Sequence, residues 1–170
     1  FGGIGALFGF EIDLLVTPDP LYKPGLKFEP VFDYEQVLVV NKDHALANVD
    51  YARPKDLDRE ILISYPVDID RLDIYNQFLL PAGVTPKRHK TIETTDIMVQ
   101  MVASGMGQTL LPEMSVGLEA ARNQVRVMRF ENPEPSRLVG LAFRKTSPLK
   151  ADFEALGQVI GDTQPGPAAI

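Results

Sequence analysis

The apolar positions of this chain follow two periods that alternate. "FEIDLLVT" (10–17) is a short β-rich run, and "PDPLYKPG" breaks it with prolines and a glycine. "LKFEPVF" and "YEQVLVVN" follow as two extended segments. Within the second, "EQVLVV" is nearly continuous Val and Leu, as expected of a strand covered on both faces. The polar stretch "DHALANVDYARPKDLDRE" holds a short helix at Pro54–Leu57, and "EILISY" (60–65) is another strand of the buried type. The period then changes. Ile69, Leu72, Tyr75, Phe78 and Leu79 recur at helical spacing until Pro81-Ala82-Gly83 stops the helix.

"RHKTIE" (88–93) is strand-like, and Ile97, Met98, Met101 and Val102 mark a helix over 96–104. "QTLL" is the next strand, and Pro112 opens a further helix to about Ala121. "QVRVMRF" and "RLVGLAFR" are two more strands. The last helix takes Ser147 as its N-cap and Pro148 in its first turn, with Leu149, Phe153, Leu156 and Ile160 on one face. "TQPGPAAI" is expected to be a loose tail. Strands alternating with helices predict an α/β fold with largely parallel sheets. Strand 12–16 is nearly the first element, yet a parallel strand needs a neighbour on each side. The pattern therefore implies a strand and a helix upstream of Phe1.

Composition narrows this picture. The 170 residues suffice for one domain or two small lobes sharing a crevice. No apolar run is long enough to span a membrane, and no basic-then-apolar leader is visible. There is no cysteine, which excludes disulfides, thiolate metal sites and a cysteine nucleophile from these residues. The net charge of −6 argues against a duplex-binding surface, which needs clustered cations to replace phosphate counterions. The one tight basic cluster, Lys87-Arg88-His89-Lys90, reads as a solvated strand end.

Gly105-Met106-Gly107 invites a phosphate-loop reading, but Leu110 stands where the third glycine of a dinucleotide fingerprint belongs. The order is also reversed, with the helix before the glycines and the strand after them. Gly105 is better read as the left-handed residue past a helix end, and Gly107 as the start of a crowded strand. "GIGALFG" (3–9) has no strand before it and reads as the end of a truncated helix. Thr94 or Thr95 is placed to cap the 96–104 helix, with Asp96 in its first turn. That helix start follows a strand and can hold a ligand carboxylate. Ser64-Tyr65-Pro66-Val67 and Thr17-Pro18-Asp19 likewise follow strands, so three polar loops converge on one small-molecule site if the strands are parallel. Asp68 and Asp70 read as helix caps. His44 and His89, far apart in sequence, offer no metal-ligand spacing, and no nucleophile elbow is present. No catalytic residue, metal or cofactor is expected.

Several segments together resemble one family. "FDYEQVLVVNKDHALA" and "MVQMVASGMGQTLLPEMSV" are similar to two segments of LysR-type transcriptional regulators. "EIDLLVTPDP", "LISYPVDIDRLDIYNQFLLPAGVTP" and "ETTDIMVQMVA" look, more narrowly, like the branch of that family that regulates methionine biosynthesis. The resemblance covers about residues 10–145. It implies an effector-binding domain with the two-lobed fold of type II periplasmic binding proteins. Lobe I would comprise 1–34 with 145–162 and be incomplete at its N-terminus, lobe II would span 35–144, and 163–170 would be a tail. A winged helix-turn-helix DNA-binding domain would lie upstream, in a cytoplasmic homodimer or tetramer.

The resemblance also implies an effector, homocysteine, between the lobes. The residues that would touch it are Thr17, Pro18, Asp19, Tyr65, Pro66, Thr94, Thr95 and Asp96. Thr94 and Thr95 would hold its carboxylate, and Asp19 or Asp96 its ammonium group. Met98, Tyr65 and Leu21 would line an apolar wall. Tyr75, Phe78 and Leu79, on helix 69–80, would meet a second subunit. The alternative is an extracytoplasmic solute-binding protein of the same fold, without a DNA-binding domain.

Overall fold

The computed structural model describes residues 3–18, 22–116, 124–131 and 136–163. The chain forms two compact units: 1–34 with 137–170, and 35–136. The expected return from the second unit near Arg144 therefore lies earlier, at 136–137. The reason is strand pairing, as described next for unit 1.

Unit 1 begins with helix α1 (Gly3–Phe8) and strand β1 (Leu14–Thr17). The two extended segments of the sequence are one strand, β2 (Leu26–Asn41), whose first half belongs to this unit. β1 pairs antiparallel with β8 (Ser136–Arg144), Leu14 opposite Phe143 and Thr17 opposite Gly140, which ties β8 to this unit. Helix α3 (Lys150–Thr163) closes the unit. Ser147 stands before it, and its hydroxyl accepts from the Leu149 N–H (3.3 Å). The expected apolar face of α3 is corrected: Leu149 and Leu156 are exposed. Gly157 is the buried position, facing Leu141 and Val31.

Unit 2 is built on a mixed sheet. β4 (Ile61–Ser64) runs parallel to β5 (Arg88–Thr91) on one side and to β6 (Gln108–Pro112) on the other. The second half of β2 joins antiparallel to β6 and to β7 (Val125–Phe130), and short β3 (Tyr51–Ala52) is parallel to β7. The expectation of largely parallel sheets holds for the β6-β4-β5 part and the short β3–β7 pair. The antiparallel course of β2 through β6 and β7 makes the rest mixed.

The Val-Leu run of β2 is covered on both faces, with Val37, Leu38, Val39 and Val40 all fully buried. Alternation sends them to opposite layers. Val37 and Val39 join Ile63 and Leu111 beneath helix α2 (Thr95–Ala103), which supplies Met98, Val99 and Val102. Leu38 and Val40 join Leu62, Ile74, Phe78, Leu79 and Phe130 on the other face. There the predicted helix 69–80 is broken. A 3-10 turn at Ile69–Arg71 precedes a π-helical segment, Ile74–Leu79, and a second 3-10 turn at Leu80–Ala82. The Leu80 N–H reaches back five residues to the Tyr75 carbonyl, which is the π pattern. Tyr75, Phe78 and Leu79 face the sheet together, and Phe78 packs edge-on against Phe130 (4.3 Å between centroids). The dimer-interface assignment of Tyr75, Phe78 and Leu79 is thereby corrected. All three are buried in the core of unit 2, so none presents an apolar surface to a second subunit.

The glycine pair ends α2 as a helix stop. The Gly105 N–H bonds the Val102 carbonyl and the Met106 N–H the Met101 carbonyl (both 2.9 Å), with Gly105 at φ +72°. At Gly107 a Cβ would stand 2.7 Å from the Ile61 carbonyl oxygen, so β6 joins β4 only with glycine there. Pro112 leads into a 3-10 turn, Glu113–Ser115. The rest of the helix expected to about Ala121, and the tail 164–170, lie outside the described residues.

Candidate functional site

β4 and β5 run side by side and in the same direction, with Ser64 opposite Thr91. Their two following loops therefore start at one edge of the unit 2 sheet. The Ile92 N–H donates to the Ser64 carbonyl (2.9 Å), extending the pairing into those loops. Ser64 is buried and Tyr65 half-buried, while Pro66 is exposed. The residue before a proline is held extended by steric clash, which sets the direction in which the Tyr65 ring leaves the strand. The Val67 N–H then returns to the Tyr65 carbonyl (2.8 Å), closing a tight turn over Pro66.

The second loop runs into α2. Thr94 holds the N-cap position with extended backbone (φ −114°, ψ 133°), but its side chain makes no capping hydrogen bond. The expected hydroxyl cap is thus absent at Thr94. Thr95, half-buried in the first turn, instead meets Tyr65 across the gap, with their hydroxyl oxygens 2.6 Å apart. Either oxygen can be the donor, so the pair can offer an acceptor or a donor to a third group. Thr94, Asp96 and Ile97 are exposed beside it. The first N–H groups of any α-helix lack partners within the helix, and the N-terminal end of its dipole is positive. This edge can therefore bind an anion flanked by hydroxyls, with one carboxylate and one apolar side chain alongside.

The structure thus brings together Tyr65, Pro66, Thr94, Thr95 and Asp96, all in unit 2. Thr17 ends β1 in unit 1, buried, and Pro18 after it is exposed. Asp19 and Leu21 lie outside the described residues. Met98 does not line a wall: it is fully buried beneath the sheet, where its sulfur takes a 3.8 Å contact from the Thr109 hydroxyl. Asp68 stands before its 3-10 turn without capping it, and Asp73 accepts from the Gln77 amide (2.9 Å).

His89, read from sequence as part of a solvated strand end, meets Ser64 at this site. The Ser64 hydroxyl lies 2.6 Å from His89 Nε2 and 3.1 Å from the Tyr65 carbonyl oxygen. Burial pushes the His89 ring pKa below its ordinary value, and the ring packs edge-on against Tyr75 (5.4 Å). The alternation of "RHKTIE" carried the signal: in a strand, His89 points away from its neighbours Arg88 and Lys90. Among the described residues no group of His, Asp and Glu could hold a metal ion.

This α/β chain of two compact units belongs to a known class of regulatory domains. A family model described as the LysR substrate binding domain matches residues 4–165. The chain is a member of that family and has the two-lobed, periplasmic-binding-protein-like fold of LysR regulatory domains. Within it, the chain is similar to the HTH-type transcriptional regulator MetR of Escherichia coli K12, 45% identical over 106 residues, 62% of this chain and 33% of that protein. It is 33% identical over 131 residues to the DNA-binding transcriptional dual regulator OxyR of the same organism, covering 77% of this chain and 43% of that one. The regulatory domain of MetR from Neisseria meningitidis superposes with a TM-score of 0.80 at 26% identity, covering 95% of this chain and 77% of that one. The chain spans about a third of the length of the MetR proteins it matches. These relatives are transcription regulators, not enzymes.

Proposed function

We propose that this chain is the effector-sensing part of a cytoplasmic LysR-type regulator of methionine biosynthesis, and that its effector is homocysteine. A helix-turn-helix domain elsewhere in the full protein would contact DNA, and the whole would act as a dimer or tetramer. The observation that carries the reading is the 2.6 Å contact between the Tyr65 and Thr95 hydroxyls, which joins the loop after β4 to the start of α2. Similarity to MetR supplies the pathway. The α2 N-terminus and the hydroxyls of Thr94 and Thr95 would take the amino-acid carboxylate. Asp96 would pair with the ammonium group. Ile97, exposed on the first turn, replaces Met98 as the apolar contact for the thiol arm.

The effector would act by favouring one arrangement of the full protein over another, in proportion to its difference in affinity for the two. Calorimetric titration of the domain with homocysteine tests the reading. Saturable binding is expected, weakened about tenfold or more in Thr95→Val, since that change removes a hydroxyl that bonds only on this edge. No heat at millimolar homocysteine, or equal affinity in Thr95→Val, overturns it.

A further inference from the structure

A serine hydroxyl has one hydrogen to give. Ser64 Oγ lies 3.1 Å from the Tyr65 carbonyl, which can only accept, and 2.6 Å from His89 Nε2, which can do either. For both contacts to be hydrogen bonds, the serine proton goes to the carbonyl and His89 must donate from Nε2. The chain of bonds then has one direction: His89 Nε2–H to Ser64 Oγ, and Ser64 O–H to the Tyr65 carbonyl. The same carbonyl takes the Val67 N–H at 2.8 Å. Two donors thus hold the peptide that sets where the Tyr65 side chain leaves the strand, and the far end of that side chain bonds Thr95 at 2.6 Å.

We propose that His89 is a positioning residue for the effector edge, acting through Ser64 on the Tyr65–Pro66 turn and so on the Tyr65–Thr95 hydroxyl pair. The proposal deepens the function proposed above and takes its effector edge from it. The ring is suited to the task. It is held in place by Tyr75 edge-on at 5.4 Å and kept neutral near pH 7 by burial, so its tautomer is fixed by its partner and not by solvent. Lys87 and Arg88, its neighbours in the basic cluster, are exposed, while His89 is half-buried.

The test has a part that needs no ligand. Ring nitrogen shifts of the unmutated domain should show His89 neutral with the proton on Nε2. A proton on Nδ1 reverses the chain and overturns the proposal. In the free domain, His89→Leu and Ser64→Ala should move the amide signals of Val67 and Thr95, and His89→Gln, which keeps a donor at similar reach, should move them least. With homocysteine as the probe, His89→Leu and Ser64→Ala should each weaken binding about five- to tenfold, the worth of one hydrogen bond, with His89→Gln recovering most of it. The double variant His89→Leu with Ser64→Ala should be no weaker than either single one, because both break one chain. Additive losses, or unmoved Val67 and Thr95 signals, overturn the proposal. If homocysteine fails to bind the unmutated domain, the proposed effector falls, while the tautomer and the amide shifts still decide the positioning.

Discussion

Unit 2 covers its sheet with an apolar layer on each face, while unit 1 has one small described cluster around Leu7, Leu26 and Ala142. Both units leave large apolar side chains in solvent, Phe8, Phe10, Val16 and Tyr22 in unit 1 and Tyr51, Ile69, Leu80 and Ile97 in unit 2. Unit 1 adds directed charge contacts to its small apolar cluster. The buried Arg144 donates to the carbonyls of Leu7 (2.6 Å) and Ile12 (2.8 Å) and pairs with the Asp13 carboxylate. One guanidinium thus ties α1, the turn after it and the approach to β1 to the end of β8. Lys27 bridges Glu29 and Glu154 on the surface, joining β2 to α3. The contrast separates two ways of holding an element: by burial, which is non-directional and adds over many contacts, and by a few directed bonds, which fail one at a time.

Breaking each unit in its own manner should show this. The largest effect is expected in unit 2. Leu79→Ala leaves a cavity in a fully buried layer and should cost about 3–4 kcal/mol. Chemical denaturation would read it as a lower midpoint, with self-association unchanged. A change in association without loss of stability would restore Leu79 to an interface. In unit 1, Arg144→Met keeps the side-chain length but strips two carbonyls of a donor, and should cost about 2–3 kcal/mol. Hydrogen exchange should speed in Leu14–Thr17 and at the end of α1, while the amides of 37–40 keep their protection. Equal loss in both places would mean that the two units do not differ as described.

Much of this contrast was legible in sequence, for identifiable reasons. The run "EQVLVV" marks its burial directly, because a strand covered on both faces cannot alternate. Gly105 and Gly107 were placed correctly as a helix stop and a strand start, since positive φ and a close backbone approach leave few other residues. The segment 69–82 was misread because helical spacing does not distinguish an α-helix from the π and 3-10 turns found there. The α3 face was misread because the buried position on it is Gly157, which a search for apolar side chains passes over. At the effector edge, the loops were found by their place after strands. The hydrogen-bonded link from His89 to Tyr65 was hidden, since it joins residues 24 and 25 apart whose register depends on β4–β5 pairing.

The smallest expected effect is the most selective test of the comparison, because acid should act on the two units differently. In unit 1 the hydrogen bond between Lys27 and Glu154 raises the lysine pKa and lowers that of the glutamate. The lysine contribution is complete below its ordinary value of 10.5 and is lost only as pH rises above it. The glutamate contribution is complete above 4.5 and is lost only as pH falls below it. Neither changes between pH 7.5 and 5. His89 in unit 2 runs the other way for a histidine: burial lowers its folded pKa, so the unfolded chain takes up a proton first. Unit 2 stability should therefore fall as pH drops through the ordinary value of 6.5, and go on falling until the folded ring also protonates. Amide protection at Leu62–Ser64 and Arg88–Thr91, followed from pH 7.5 to 5 after correction for intrinsic exchange, should decline in the unmutated domain and stay level in His89→Gln. Protection at Leu14–Thr17 should be level in both. A decline that survives His89→Gln would assign the acid sensitivity to another group and leave the half-buried ring without an energetic signature.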